Sequence, residues 1–261
     1  MPHIALAAID SVSPARMAPA SAHPRLRALA SLIGRTPLLS IHLRYRGVER
    51  VIHAKAEHYN LTGSIKDRMA LSILSRAIRS GALRPGDTIA EATSGNAGIA
   101  LTSLGRALGH RVDIYMPDWM SDERKALLRS LGADLHLVTR EEGGFIGAIA
   151  ATEQLARHQN GVFLPCQFSN CDNAIGHCDT TGPELLKQMA LLGLTPASAR
   201  AARSWALAGP CARLSRAQKS TRWSRRNPRP CPPVTRSATT ASRAFPMISS
   251  RPSSISRSWM T

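Results

Sequence analysis

Residues 60–68 read Asn60-Leu61-Thr62-Gly63-Ser64-Ile65-Lys66-Asp67-Arg68 and place one lysine on a loop. A strand-like run at residues 51–57 precedes this loop, and a helix-like run at residues 67–80 follows it. The lysine therefore lies at a helix N-terminus, where positive backbone dipoles favour an uncharged amine. An uncharged lysine can form a Schiff base, so Lys66 is a candidate catalytic residue. The alternative interpretation is a solvated lysine beside a turn.

A second loop, at residues 91–98, reads Glu-Ala-Thr-Ser-Gly-Asn-Ala-Gly between a predicted strand and a predicted helix. Its glycines, Gly95 and Gly98, let the backbone turn tightly and direct N–H groups toward one point. Such a point suits a carboxylate or a phosphate. Thr93, Ser94 and Asn96 add side-chain donors. The alternative is a helix start whose glycines serve packing alone.

A third stretch, residues 167–173, reads Gln-Phe-Ser-Asn-Cys-Asp-Asn and is followed by His177 and by Thr-Thr-Gly-Pro-Glu at 180–184. It predicts a polar loop after a strand, then an N-capped helix with Pro183 in its first turn. Taken alone, Asp172 is typical of a turn and His177 of a structural histidine.

The rest of the chain predicts an α/β fold. Apolar residues at helical spacing give the helix after the lysine loop one buried face, with Gly81 as its stop: Ala70, Ile73, Leu74, Ala77 and Ile78. Further strands are predicted at 88–92, 111–116, 134–138 and 162–165, with helices ending near Gly109, running from a Ser121 cap to Leu131, and spanning 144–158. This alternation indicates a parallel sheet covered by helices on both faces, with ligands at the C-terminal ends of its strands.

Together these stretches resemble the cysteine synthase (O-acetylserine sulfhydrylase) and cystathionine β-synthase family of fold-type-II enzymes that depend on pyridoxal 5′-phosphate. The resemblance covers about residues 24–190 and implies a tryptophan synthase β-like fold. Six motifs carry it: Ile33-Gly-Arg-Thr-Pro-Leu, Gly63-Ser-Ile-Lys-Asp-Arg, Thr93-Ser-Gly-Asn, Met116-Pro-Asp-Trp-Met-Ser-Asp-Glu-Arg, Gln167-Phe-Ser-Asn and Thr181-Gly-Pro-Glu.

The resemblance implies a role for each site residue. Lys66 would hold pyridoxal phosphate as a Schiff base, and Asn96 would hydrogen-bond the ring hydroxyl oxygen of the cofactor. The α-carboxylate of the substrate would be bound by the loop around Gly95 together with a later side chain, which gives the set Thr93, Ser94, Gly95, Asn96 and Gln167. The chain departs from the family at Ala97, where cysteine synthases usually have threonine.

The implied reaction is β-replacement, in which O-acetyl-L-serine and sulfide become L-cysteine and acetate through an aminoacrylate. Alternatives on the same fold are cystathionine β-synthase and threonine or serine dehydratase. An alternative of another class is an inactive remnant, or a polyanion-binding protein that uses a basic tail. The expected partners are an amino acid and sulfide, with a homodimer when the protein is intact, and no membrane or nucleic acid.

The positive charge is concentrated at one end of the chain. All 17 acidic residues lie at or before Glu184, so residues 1–184 carry a net charge of +3 and residues 185–261 carry +14. The glycine-rich loop that would bind the cofactor phosphate is missing from residues 197–208, where the family resemblance places it. Either the tail is a basic appendage that attracts polyanions, or the gene is out of frame after about residue 196. In both cases we expect weak cofactor binding.

These observations divide the chain into four parts. They are a flexible leader (1–22), an N-terminal α/β domain (23–158), the start of a C-terminal cofactor-binding domain (159–196), and a basic, disordered or out-of-frame tail (197–261). The leader lacks the apolar core of a signal peptide, which indicates a cytoplasmic protein. Cysteines and His177 near residue 170 have no common zinc-site spacing, so we expect no metal.

Overall fold

The computed structural model describes residues 4–6 and 24–193; the predicted basic tail lies outside these residues. Its strands are β1 (Ile4–Leu6), β2 (Leu38–Tyr45), β3 (Val48–Lys55), β4 (Thr88–Ala92), β5 (Arg111–Pro117), β6 (Asp134–Val138) and β7 (Val162–Phe163). Its helices are α1 (Pro24–Ser31), α2 (Lys66–Ser80), α3 (Asn96–Ala107), α4 (Asp122–Ser130), α5 (Gly144–His158), α6 (Cys171–Gly176) and α7 (Gly182–Leu191). A 3₁₀ turn (Glu57–Tyr59) and a π-helical turn (His177–Thr181) complete the order.

Four strands form a parallel sheet in the order β6-β5-β4-β7, which confirms the predicted sheet type. Alternate residues of β4 face opposite sides of this sheet. Ile89 belongs to the main core with residues of α2 and α3, whereas Ala92 packs with Ala148 of α5. Helices therefore cover both faces. β7 pairs with Thr88 and Ile89, the first two residues of β4, so the loop after β7 begins beside the middle of β4.

The first strands differ from the prediction. The run at residues 51–57 was expected within the strand–helix alternation, but β3 begins at Val48 and forms an antiparallel hairpin with β2 in a separate three-stranded sheet. Arg46 and Gly47 join the two strands with φ angles of 51° and 77°. Two positive φ angles are typical of the tight turn that hairpins prefer. Ile4–Leu6, the described part of the expected leader, pairs with β2.

The predicted helices are present, but α1 was not predicted, and the segment near residue 175 differs from the prediction. The apolar face of α2 is buried as expected, and Gly81 ends the helix with a left-handed φ of 74°. The loop predicted before Glu184 is instead α6 followed by the π-helical turn, which leads directly into α7. Asn170 begins α6 by accepting a hydrogen bond from the Asp172 N–H at 2.9 Å, whereas Ser121, the predicted cap of α4, makes no such bond.

A buried ion cluster ties the start of α2 to the rest of the structure. The Arg68 side chain is 2% exposed and binds both carboxylate oxygens of Glu57, with Nε–Oε2 at 2.7 Å and Nη2–Oε1 at 2.9 Å. It also donates to Glu184 of α7 at 2.8 and 3.2 Å and to the Thr36 hydroxyl at 3.1 Å. A single guanidinium therefore joins four segments of the chain.

A second layer of polar contacts extends this cluster to β3. Lys55 Nζ donates to Glu184 at 2.5 Å, to Gln188 at 2.8 Å and to the Thr36 carbonyl at 2.7 Å. The Gln188 amide donates to the same carbonyl at 2.8 Å. The three-stranded sheet, through Lys55 of β3, and α7 are thereby fixed to the helix that carries Lys66.

Substituting Arg68 should be costly, because it leaves the carboxylates of Glu57 and Glu184, which are only 13% and 17% exposed, without their main partner. We expect Arg68→Ala to lower the free energy of unfolding by roughly 3–5 kcal/mol in urea titrations. Arg44→Ala is the matched control, since the Arg44–Glu49 pair is 70% and 84% exposed and should contribute less than about 1 kcal/mol. Equal effects of the two substitutions would contradict a structural role for the cluster.

The cluster should also weaken in acid. Burial is the largest single effect and opposes the charge on both carboxylates. The hydrogen bonds that they accept and the charge of Arg68 together outweigh it and hold the pKa values of Glu57 and Glu184 below their usual range. Their contribution to stability is therefore complete above the usual value of 4.5 and is lost as the pH falls through the lower folded-state values. The stability difference between wild type and Arg68→Ala should shrink below that pH, and a constant difference would argue against this assignment.

Candidate active site

Lys66 is the first residue of α2 and is partly buried. Its N–H donates to the Ser64 hydroxyl at 3.2 Å. The turn before it is closed by Asp67, whose carboxylate accepts hydrogen bonds from both the N–H and the hydroxyl of Thr62. Burial raises the pKa of Asp67, and the bonds from Thr62 oppose this shift. The lysine is thus presented from a rigid turn.

Asn60 holds the beginning of the same turn. Its amide nitrogen donates to the Ser64 carbonyl at 3.1 Å and to the Glu57 carboxylate at 2.7 Å. Its amide oxygen accepts from the Gly34 N–H at 2.8 Å. Sequence reasoning gave Asn60 no role, although its position at the edge of the lysine motif was a usable signal.

The loop of residues 93–96 follows β4 and opens α3. Thr93 N–H donates to the Tyr115 carbonyl at 3.0 Å, which continues the sheet by one residue. A Cβ on Gly98 would lie 2.7 Å from the Thr93 side chain, so glycine is required for this close approach. Ala97 is 4% exposed and packs in the core.

This loop has an open side. Ser94 and Asn96 are exposed, and a Cβ on Gly95 would meet nothing within 4 Å. Among the described residues, no side chain caps the start of α3. The first N–H groups of this helix are therefore available to an anion, which fits the predicted carboxylate or phosphate site.

Gln167 lies on the loop after β7 and is 8% exposed. Its carbonyl accepts a hydrogen bond from the Asn173 amide at 3.0 Å. Its N–H and side chain contact the carboxyl group of Glu91, the residue two positions before Thr93. Gln167 is thereby brought beside the loop of residues 93–96. Sequence reasoning missed Glu91, for which the signal was a lone acidic residue in an apolar strand.

The segment after Gln167 packs against the lysine helix. Ser72 donates to the Asp172 carbonyl at 2.7 Å, and a Cβ on Gly176 would lie 2.5 Å from Ser72 Cβ. Burial lowers the pKa of His177, and the charges of Arg68 and Lys66 lower it further. His177 therefore lies within electrostatic range of Lys66, in a π-helical turn of the kind often found at functional sites. Its proximity to Lys66 was not predicted.

Neither a cluster of metal-binding side chains nor a membrane-spanning helix is found among the described residues. Within residues 24–193, no group of three or more His, Cys, Asp or Glu residues is placed to hold a metal ion. None of the helices in the described part of the chain is long and apolar enough to span a bilayer.

Cysteine synthases and a hydrogen sulfide-producing enzyme resemble this chain in sequence or structure. The chain is 42% identical over 160 residues to cysteine synthase B of Escherichia coli strain K12, which covers 61% of this chain and 52% of that protein. A hydrogen sulfide-producing enzyme from Fusobacterium nucleatum has a similar structure, with a TM-score of 0.64, 49% identity, and coverage of 65% of this chain and 51% of the other. Cysteine synthase from Entamoeba histolytica gives a TM-score of 0.56, 34% identity, and coverage of 70% and 53%.

The chain spans about half the length of the curated relatives it matches. The family model for pyridoxal-phosphate dependent enzymes matches residues 29–255 and so continues beyond residue 196, where the reading frame was predicted to change. The frame change stays a prediction. Since the family model covers most of the chain, the chain belongs to the pyridoxal-phosphate dependent enzyme family.

Proposed function

We propose that this protein catalyses β-replacement on an amino acid, converting O-acetyl-L-serine and sulfide to L-cysteine and acetate. The observation that carries the proposal is the placement of Lys66 at the start of α2, on a turn held by Asp67 and Asn60. The 42% identity to cysteine synthase B over 160 residues supports it.

Among the described residues, Lys66 and Asn96 fit the ring of the family's cofactor. Lys66 would hold pyridoxal phosphate covalently, and Asn96, exposed at the start of α3, would hydrogen-bond its ring oxygen. The bound cofactor would supply an electron acceptor that stabilises negative charge at the α-carbon of the amino acid.

The chain's own groups would bind the substrate and transfer the proton. The open N–H groups at the start of α3, with Thr93, Ser94, Gly95 and Gln167, would bind and orient the α-carboxylate. Lys66 Nζ would take the proton from the α-carbon and later return one. The C–O bond to acetate would break, and a C–S bond from hydrosulfide to the β-carbon would form.

A second candidate reaction is the release of sulfide from L-cysteine. It is favoured by the 49% identity to a hydrogen sulfide-producing enzyme. Both reactions would use the same carboxylate site and the same lysine, so only assays with each amino acid separate them. The proposed setting is a cytoplasmic homodimer, with the amino acid and sulfide as its partners.

Removal of the proposed cofactor lysine should abolish the visible absorbance band that the protein adds to the spectrum of free pyridoxal phosphate. Lys66→Ala should lose this band, because no amine remains at the start of α2. Lys187→Ala, which removes an exposed lysine of α7, should keep it. An unchanged spectrum in Lys66→Ala would exclude Lys66 as the Schiff-base residue. In the chain as given we expect the band only at high cofactor concentration.

Substitution of the carboxylate-binding residues should reduce turnover. In a protein that carries the complete second domain, Gln167→Ala should raise KM for O-acetyl-L-serine about tenfold or more, because a charge-assisted hydrogen bond is lost. Asn96→Ala should impair activity as well. Cysteine formation is measured directly, with sulfide release from L-cysteine in parallel. Conversion of threonine to a keto acid without β-replacement would instead place the protein with the dehydratases.

A further inference from the structure

Glu91 is a buried acidic residue in a strand that is otherwise largely apolar. It is 5% exposed near the end of β4, beside Ala90 and Ala92. Its Oε2 atom has no hydrogen-bond partner among the described residues. Burying a carboxyl group is unfavourable, so its presence requires an interaction that an apolar residue could not provide.

The carboxyl group of Glu91 meets the loop that carries Gln167. Its contacts are the backbone N–H groups of Cys166 and Gln167 and the side-chain amide of Gln167. Main-chain pairing between β4 and β7 reaches only Ile89 and Phe163. Beyond that pair, the Glu91 side chain continues the connection between the two segments.

Two asparagines hold the carbonyl groups of the same loop. The Asn173 amide donates to the Gln167 carbonyl at 3.0 Å, and the Asn170 amide donates to the Pro165 carbonyl at 2.9 Å. Gln167 is therefore fixed at its carbonyl by α6 and at its N–H and side chain by Glu91. One N–H of its side-chain amide can be given to Glu91 while the other stays available for a ligand.

We infer that Glu91 is a positioning residue that holds the backbone and side-chain amide of Gln167 in the orientation needed to bind an amino-acid carboxylate. The inference rests on the proposed function for the ligand, since Gln167 is the group that would bind it. Glu91 itself would not touch the substrate. Burial raises the pKa of Glu91 to about 7, and the bonds from Gln167 and Cys166 oppose that rise, as expected of a carboxylate that accepts them.

Hydrogen–deuterium exchange on the full chain tests this inference without substrate or cofactor. In Glu91→Ala, peptides covering residues 164–170 should exchange about tenfold faster, since two backbone N–H groups lose their acceptor. Glu91→Gln should keep most of the protection, because its amide oxygen can still accept. If Glu91→Ala fails to fold, the same measurement is made on Glu91→Asp. Its shorter side chain moves the carboxylate away from the two backbone N–H groups.

A matched control separates positioning from general stability. Thr102→Val removes another buried oxygen without a partner among the described residues, in the middle of α3, and should leave peptides 164–170 unchanged. Unchanged exchange there in Glu91→Ala, or an equal increase across β4 and β5, would overturn the inference.

A binding measurement distinguishes this inference from the proposed function. L-Serine binding, measured by titration of the cofactor-loaded protein, should weaken in both Glu91→Ala and Gln167→Ala. Normal binding in Gln167→Ala would refute the carboxylate role of Gln167, whereas the exchange result would still decide whether Glu91 positions the loop.

Discussion

The guanidinium of Arg68 is the group on which the rest of the described structure depends. It neutralises two glutamates, one from the turn before the lysine loop and one from α7, and it is almost completely buried. These partners come from positions 57 and 184, far apart in the chain. The same arginine belongs to the helix that begins with Lys66, so the orientation of the candidate catalytic lysine is fixed by the packing of distant segments. An arginine suits this task because its planar group can bind two carboxylates at once.

The site is assembled from the ends of elements rather than from one motif. The starts of α2 and α3 supply a lysine and open N–H groups, and the loop after β7 supplies Gln167. Glu91 and Asn173 hold that loop from opposite sides. The loops after β4 and β7 agree with the rule that ligands bind at the carboxyl ends of parallel strands. The lysine loop departs from it, because it follows β3 of the antiparallel sheet. The family assignment rests on a model that matches residues 29–255 and so includes all of these elements.

Much of this fold could be predicted from periodicity, because the core strands and helices follow regular apolar spacing. The parallel sheet and the helix at residues 144–158 were predicted with the observed bounds or nearly so. The hairpin was missed because its Arg-Gly turn is a weak signal. The helix α6 was missed because its short polar sequence resembles that of a loop. The Asn170 cap and the contact with Ser72 stabilise it.

The candidate site was predictable in part. Lys66 and Asn96 each follow a glycine in a loop before a helix, so both could be proposed as site residues from the local sequence alone. The contact between Glu91 and Gln167 joins positions 76 residues apart, and no local pattern encodes such a pairing. Thr36, Arg68 and Glu184 each belong to a sequence motif of the family. Their contact with one another in one cluster depends on the tertiary structure and could not be predicted from the motifs.

The most direct test of the central claim is to trap the cofactor on its lysine. The chain is incubated with pyridoxal phosphate, treated with borohydride to reduce any imine to a stable secondary amine, digested, and mapped by mass spectrometry. Trapping needs only a small bound fraction, so weak affinity does not prevent it. The account predicts that the label is found mainly on the peptide that contains Lys66. A label spread equally over exposed lysines such as Lys187, or concentrated on another lysine, would contradict it.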